Sequence, residues 1–357
     1  MKQILSYKSN EIIKISNKDL TLHKAISSAE FGSKTVLVDS PWDYTEMWLK
    51  RNRKEDAVFY WNQARDFFEA AKSLPLTSAP LPIFYAFMNG VKALLTVKGK
   101  DMSINLSHGI GRINEEVTER LLQNERMKFF HSRNGNRLDV GLFGLLAEYL
   151  NDSFRHKEIH SLKELLYNLP YIHRAYSLTF PMENELFIPI KKPRWQVDGK
   201  CQSAQFVAEV DPRYATPYHL NSLNKQFSWD NDGGDTIIKS CFLLELNKNK
   251  EKEMQNLKKF HNQIRKHTFY ILGAQRLWYI KKDTGIPMTS ISITYAAMHK
   301  LSELVRYNPI FLHEHLNSEH NWLITEFIRN APYQFFDEIA CELTGEEFMM
   351  PGIAFGR

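Results

Sequence analysis

The sequence predicts a mainly α fold of the α+β class, in which N- and C-terminal helices form an antiparallel bundle around a small antiparallel β insert. Two observations indicate this. Apolar residues recur at helical spacing through residues 56–72, 82–97 and 290–343. Between these blocks, residues 186–280 change to short runs rich in β-branched and aromatic residues, which are typical of strands. Short connections between the helices favour antiparallel neighbours.

Composition sets the broad class of protein. The 357 residues are 43% hydrophobic and 24% charged, which is ordinary for a globular protein. The formal net charge of +5 permits RNA, nucleotide or acidic partners without demanding them. The three cysteines are far apart and form no CxxC pair, which fits a reducing compartment. The most apolar run, residues 140–150, is too short to span a bilayer, so we expect a soluble, cytoplasmic protein. We also expect no cofactor.

The N-terminal part divides into an irregular lead-in, residues 1–40, and a helical half, residues 41–180. Its clearest elements are two amphipathic helices, Asp56 to Lys72 and Pro82 to Val97, which the proline-rich stretch PLTSAPLP separates. We expect them to form an antiparallel hairpin. The pattern predicts three further helical pieces, at residues 114–124, 140–151 and 161–176, the last broken at Pro170.

Residues 181–288 are predicted to form the β insert, followed by a C-terminal helical half, 289–357, that packs on 41–180. The predicted strands are residues 186–190, 205–210, 236–246 and 269–280, with DNDGGD (230–235) as a turn. A basic helix is expected within 247–267. Two separate helices, 319–329 and 335–343, are expected near the C-terminus because Asn330 and Pro332 lie between them.

One face of the helix at 290–307 carries a candidate site for phosphate chemistry. His299, Glu303 and Arg306 follow at i, i+4 and i+7, so a base, an acid and a guanidinium stack on one side. The next helix begins at Pro309 and brings His313 towards Arg306. The alternative remains that Arg306 forms an ion pair with Glu303 or a neighbouring carboxylate, and that His313, His315 and His320 cap helix ends or bond backbone carbonyls. None of His313, His315 and His320 has a second histidine at i+4, the spacing of a helical zinc site, so no metal is expected.

A second candidate surface is basic. The segment 247–267 carries an excess of lysine and arginine that equals the surplus of the whole chain, and KKPRW (191–195) is expected to be a basic loop tipped by an aromatic residue. Either this surface contacts a nucleic-acid backbone, or it is a solvated helix face. The residues expected to contact RNA are Lys252, Lys258, Lys259, Arg265, Lys266, Arg194 and Trp195.

Two long stretches resemble a known family. WDYTEMWLKRNRKEDAVFYWNQARDFFEAAKSLPLTSAPLPIFYAFMNGVKALL (42–95) and MHKLSELVRYNPIFLHEHLNSEHNWLITEFI (298–328) are similar to the bacterial YaaC-like proteins. The resemblance implies a cytoplasmic bacterial protein. It supplies no established catalytic residues, because that family is largely uncharacterised.

A weaker resemblance bears on chemistry. An aromatic-rich helical hairpin followed by Arg-x(4–6)-His is similar to the HEPN helical domains, many of which are metal-independent ribonucleases with a site shared across a dimer. The spacing is unspecific, since four pairs have it: Arg126/His131, Arg155/His160, Arg213/His219 and Arg306/His313. Only the last pair lies in the strongly periodic region.

Two functional hypotheses follow. In the first, the chain is a HEPN-like ribonuclease, a toxin or defence effector and a homodimer. Arg306 would bind phosphate, His313 would act as general base or acid, and Glu303 or His299 would orient them. In the second, it is a non-catalytic helical module that binds nucleic acid or a protein partner through the basic surface.

Overall fold

The computed structural model describes residues 8–15, 17–100, 102, 106–113, 122–131, 141–198, 202–223, 225–232, 234–247, 249–273 and 277–349. Within these ranges there are eleven α-helices. In chain order they are Pro41–Arg51 (α1), Glu55–Lys72 (α2), Pro80–Val97 (α3), Leu142–Leu150 (α4), Leu162–Tyr167 (α5), His173–Thr179 (α6), Pro217–Leu220 (α7), Lys250–Arg265 (α8), Ser290–Tyr307 (α9), Pro309–Leu316 (α10) and Asn321–Thr344 (α11).

The strands of the described residues are more numerous than the sequence suggested. They are Lys14–Ile15 (β1), Lys18–Asp19 (β2), Val36–Leu37 (β3), Ile110–Arg112 (β4), Arg126–Phe129 (β5), Ile159–Ser161 (β6), Phe187–Val197 (β7), Ser203–Val210 (β8), Phe227–Asp232 (β9), Asp235–Ser240 (β10), Leu244–Glu245 (β11), Thr268–Ile271 (β12), Leu277–Lys281 (β13) and Phe348–Met349 (β14).

The prediction of a mainly helical bundle with a small β insert is wrong. Among the residues that the structure describes, seven strands form one antiparallel sheet in the order β12-β13-β7-β8-β10-β9, with β11 also paired to β8, and there are three smaller sheets. The large sheet has its own hydrophobic core, to which α8 contributes Leu257, Phe260 and Ile264. The protein is therefore α+β, with a helical core and a sheet core of its own.

Two differences account for the underestimated sheet. The segment KKPRW is not a loop, because it lies inside β7, where the pairing with β8 shifts register between Lys191 and Arg194. The residues predicted as a turn at 230–235 belong partly to β9 and β10, which pair from Phe227 to Ser240. Polar residues within these strands concealed them, because one face of an antiparallel sheet can be solvated.

The helical hairpin of α2 and α3 is present. Phe67 stacks on Tyr85 with ring centroids 5.4 Å apart, and the Lys92 ammonium lies 5.5 Å from the centre of the Tyr60 ring. Contacts that join an early residue of one helix to a late residue of the other show that the two run antiparallel. The break at Pro170 is also present, since a 3-10 turn, Pro170–Ile172, separates α5 from α6.

α11 is a single helix that continues through Pro332, so the prediction of two separate helices there is wrong. Its buried face includes Phe327, Phe335 and Phe336, and Phe335 stacks on Phe87 of α3 with centroids 3.9 Å apart. A proline removes one helical hydrogen bond. Aromatic packing on both sides of Pro332 holds the helix together across that gap. The helical piece expected at 114–124 lies mostly outside the described residues.

The N-terminal segment connects the two cores. Leu20 and Leu22 are buried in the sheet core, whereas Ala25, Ile26 and Ala29 are buried in the helical core. The lead-in is therefore mostly irregular apart from the two-residue strands β1, β2 and β3, and part of it is buried in the interior of the protein.

Candidate functional site

The polar face of α9 points into the protein. Every residue of α9 from Ser290 to Leu304 is buried, which includes His299 and Glu303 at 4% exposure each. Arg306, one turn further on, is half-buried. The face predicted to carry His299, Glu303 and Arg306 therefore packs against other segments of the protein. The chemistry of these side chains depends on the residues that those segments bring to them.

His299 contacts a second imidazole. Its ring centroid lies 5.5 Å from that of His108, and Phe84 of α3 packs edge-on against both rings, at 4.9 Å from His299 and 5.5 Å from His108. Burial, followed by the charges of His108 and Arg306, lowers the pKa of His299 to about 3. His299 is therefore neutral at physiological pH. Its Nδ1 is buried and has no hydrogen-bond partner among the described residues.

His108 is the more accessible of the two histidines. It is half-buried in the segment that leads into β4. Burial lowers its pKa, and the positive charges of Arg306 and Lys92 lower it further. An imidazole with a lowered pKa is unprotonated near neutral pH and can accept a proton.

Two glycines hold the His108 segment against the start of α4. Gly109 has a φ of +75°, which glycine adopts without strain. A Cβ built on Gly141 would lie 2.4 Å from the Gly109 Cα, a distance that no side chain tolerates. His108 is therefore placed by a close backbone contact that requires glycine at both positions.

Arg306 does not form the expected ion pair with Glu303. Its Nε donates to the Ser302 carbonyl at 3.4 Å, and its guanidinium lies 5.1 Å from the centre of the Tyr307 ring. Among the described residues, no carboxylate forms a salt bridge with it. Within the described residues, the guanidinium edge is therefore free to bind an anion.

Glu303 instead connects α9 to β4. Its Oε1 lies 3.5 Å from the Nε of Arg112 and 3.5 Å from the Nζ of Lys300. Lys300 also lies 3.4 Å from the Oε2 of Glu125, just before β5. Burial favours the neutral form of Glu125, but hydrogen bonding from His315 and the charge of Lys300 outweigh it, so the pKa of Glu125 is lowered. This network of charges fixes β4 and β5 against α9.

His313 lies apart from this cluster. It is exposed on α10, and its Nε2 lies 3.0 Å from the Asn317 amide nitrogen one turn later. In the described part of the chain, no hydrogen bond, ion pair or ring contact joins His313 to Arg306, His299 or Glu303. The imidazoles whose pKa responds to Arg306 are His108 and His299.

The remaining junction histidines are buried. His315 and His320 bring their Nδ1 atoms to 3.4 Å, and burial lowers the pKa of His320. Across the residues with a described placement, no group of three or more His, Cys, Asp or Glu side chains is arranged to hold a metal ion.

The residues of the basic surface predicted from the sequence differ in exposure and in partners. Lys252 and Lys259 are exposed on α8, while Lys258 pairs with Glu30 at 2.6 Å and Lys266 is half-buried. Arg265 is buried at 2% exposure and donates to the Lys24 carbonyl at 3.0 Å.

The two residues of KKPRW that were expected to contact RNA have partners within the protein. Arg194 lies 3.7 Å from Glu209, and Trp195 is fully buried beside Phe206. Neither Trp195 nor Arg265 presents a side chain that RNA could reach in this structure, so the accessible basic face is narrower than predicted.

The sequence pattern missed His108, Arg112 and Glu125 as members of the cluster. The only signal was Ser107-His108-Gly109-Ile110-Gly111, which the sequence favours as a turn over a phosphate-binding loop, because it lacks the spacing of such a loop. Arg112 and Glu125 carry no local pattern at all, because their role depends on contacts with a helix far along the chain.

Fold and site together define an α+β protein in which a half-buried cluster of imidazoles and cations lies between α9, α3 and the segment before β4. Residues 24–343 match the family model described as YaaC-like Protein. The chain belongs to the YaaC-like family, which confirms the prediction from the two long stretches. The weaker resemblance to HEPN domains receives no support from this comparison. No curated protein and no solved structure matches the chain.

Of the described residues, Pro80–Val97 forms a helix long and apolar enough to cross a membrane by length and composition. Most of that helix is buried within the protein, where its apolar side chains form part of the helical core.

Proposed function

We propose that this protein is a metal-independent ribonuclease in which His108 and Arg306 are the catalytic residues. The observation that carries the proposal is a half-buried imidazole, His108, whose pKa is lowered by burial and by the charge of Arg306, together with the lack of a carboxylate partner for that guanidinium among the described residues. RNA suits such a site because its own 2′-hydroxyl is the nucleophile. The substrate then needs only a base and a group that stabilises the phosphate.

In this proposal His108 removes the proton of the 2′-hydroxyl, and the 2′-oxygen attacks the neighbouring phosphorus. The bond from phosphorus to the 5′-oxygen breaks, and that oxygen takes up a proton from water. The products are a 2′,3′-cyclic phosphate and a 5′-hydroxyl end. Arg306 pairs with the phosphate oxygens, where a planar guanidinium can form two parallel hydrogen bonds.

Neighbouring residues position this pair. His299 is too buried to exchange protons with solvent, so in this proposal its role is one of positioning. It packs against His108 and fixes the orientation of that ring. Glu303 holds Arg112, which belongs to the strand that directly follows the His108 segment. Lys92, which lowers the pKa of His108, adds positive charge that favours an anionic substrate.

The test is cleavage of a 5′-labelled single-stranded RNA in EDTA by the purified full chain. His108→Asn and Arg306→Gln are each expected to reduce the rate by about a hundredfold or more, the usual contribution of a general base or a phosphate-binding group. His313→Asn is the matched control, since it removes an exposed imidazole outside the cluster, and it should retain the full rate. Full activity of His108→Asn would contradict the proposal.

The second candidate function is a non-catalytic module that binds nucleic acid or a protein partner. The observation that favours it is the exposure of Lys252 and Lys259, which lie about two turns apart on one face of α8. Intact RNA in the cleavage assay, with binding that weakens as salt rises and weakens further in a double Lys252→Gln, Lys259→Gln variant, would support this module. The homodimer stays a prediction, which light scattering of the purified chain would test.

A further inference from the structure

Two guanidinium groups lie against one exposed aromatic ring beside the proposed ribonuclease site. The Cζ of Arg306 lies 5.1 Å from the centre of the Tyr307 ring, and the Cζ of Arg112 lies 5.5 Å from the same centre. Arg306 belongs to the last turn of α9, whereas Arg112 ends β4, so only the tertiary structure brings them together. Tyr307 is 56% exposed, which places both cations near the surface of the protein.

The closeness of two like charges favours an anionic ligand. Two guanidinium groups that share one ring repel each other, because like charges at short range interact unfavourably. The electrons of the Tyr307 ring attract each cation and offset part of this repulsion. A ligand with negative charge would remove the rest, so this surface is better suited to an anion than to a neutral molecule.

The terminal NH₂ groups of both arginines are available to such a ligand. Arg306 donates from its Nε to the Ser302 carbonyl, and Arg112 approaches Glu303 with its Nε at 3.5 Å. Among the residues that the structure describes, no further hydrogen bond or ion pair involves either guanidinium. Each arginine can therefore offer two parallel N–H groups, which is the geometry that pairs with two oxygens of one phosphate.

The carboxylate of Glu303 does not prevent an anion from binding here. Its side chain is 6% exposed, against 45% for Arg112, so a ligand that arrives from solvent meets the guanidinium first. Lys300 lies 3.5 Å from Glu303 and 3.4 Å from Glu125. Together with Arg112 it balances these two carboxylates, which leaves the positive charge of Arg306 in excess.

We propose that Arg112 binds a second phosphate of the substrate strand, next to the phosphate that Arg306 binds. The substrate is therefore a single strand with at least two consecutive phosphates, rather than a dinucleotide with one. A single strand suits this surface because its successive phosphates can reach two neighbouring guanidinium groups, and such contacts fix the position of the strand without reading its bases. This inference rests on the proposed function and gives Arg112 a binding role of its own.

The cleavage test uses a short 2′-O-methyl RNA with a single free 2′-hydroxyl, so that only one phosphate can be attacked. In two further strands, the linkage on the 5′ side or on the 3′ side of that phosphate is an uncharged methylphosphonate. We expect the full chain to cleave one of these two strands about tenfold more slowly than the fully charged strand. A strand with its methylphosphonate several linkages away is the control, and its rate should not change.

Variants connect this effect to Arg112. Arg112→Gln should cleave the fully charged strand about tenfold more slowly, and the neighbouring methylphosphonate should then cause no further loss. A purely structural role of Arg112 would instead slow all strands by the same factor and leave the difference between them intact. Arg112→Lys keeps the charge and should keep most of that difference. Arg174→Gln, which changes an exposed arginine on α6, should alter no rate.

A binding measurement separates this inference from the proposed function. Fluorescence anisotropy follows the binding of a fully 2′-O-methylated strand as the salt concentration rises. In Arg112→Gln, the slope of log K against log salt should become shallower by about 0.7, the value for one phosphate contact with a single strand. Unmodified RNA that stays intact would contradict the proposed function. Cleavage at equal rates for the charged and neighbour-neutralised strands, or an unchanged salt slope in Arg112→Gln, would overturn the role of Arg112 alone.

Discussion

The carboxylate of Glu342 is predicted to be one of the largest single contributors to stability. Glu342 is fully buried in α11 and accepts hydrogen bonds from the backbone N–H groups of Ile26, Ser27 and Ser28. The hydroxyl of Tyr149 donates to the same carboxylate at 2.7 Å. One side chain thus fastens the N-terminal segment to both α11 and α4.

The variant Glu342→Gln keeps the size of the side chain and changes its hydrogen bonding. One of the two oxygens becomes an NH₂ group that faces backbone N–H donors, and the remaining oxygen is neutral. Hydrogen bonds to a charged group contribute about 1.5–3 kcal/mol each, and at least one buried donor is left without an acceptor. We expect the free energy of unfolding to fall by roughly 3–5 kcal/mol, a large part of the 5–15 kcal/mol typical of a domain.

Urea unfolding followed by circular dichroism and tryptophan fluorescence measures this loss. Glu319→Gln is the control, because that side chain is 78% exposed and its replacement should change the free energy of unfolding by less than about 0.5 kcal/mol. A loss below about 1 kcal/mol for Glu342→Gln would refute the reasoning, since it would mean that the amides of residues 26–28 are equally well satisfied without the carboxylate.

Two further predictions concern other buried positions. Burial raises the pKa of Glu338 from 4.5 to about 7, so its contribution to stability is complete below pH about 4.5 and is lost as the pH rises through about 7. Between pH 5 and 8, the free energy of unfolding of Glu338→Gln, measured with urea, should therefore fall by about 3 kcal/mol less than that of the unmodified chain. Parallel pH profiles of the two proteins would contradict this. Gly141→Ala should lower the free energy of unfolding by at least about 2 kcal/mol, because the added Cβ would collide with the Gly109 backbone. In the control Gly32→Ala, the added Cβ meets no atom within 4 Å, and the free energy of unfolding should fall by less than about 1 kcal/mol. Equal effects of the two changes in urea unfolding would argue against the close contact.

The local pattern of the sequence predicted most helices correctly and the sheet poorly. The α2–α3 hairpin was predictable because its aromatic residues recur at helical spacing over long runs. Strands carry a shorter signal, and β9 and the middle of β7 are polar enough to suggest a turn and a loop. Strand pairing also depends on residues far apart in the chain, which no local period records.

The candidate site shows the same division. The sequence by itself determined that His299, Glu303 and Arg306 share one face of a helix, because helical geometry alone places residues four and seven apart together. Only the tertiary structure decided which residues contact that face. His108, almost two hundred residues earlier in the chain, packs against His299, and Arg112 forms an ion pair with Glu303. His313 is left exposed to solvent. The physical reason is that the order of residues along one helix is fixed by local hydrogen bonds, whereas contacts between distant segments are selected by how all the buried surfaces pack at once.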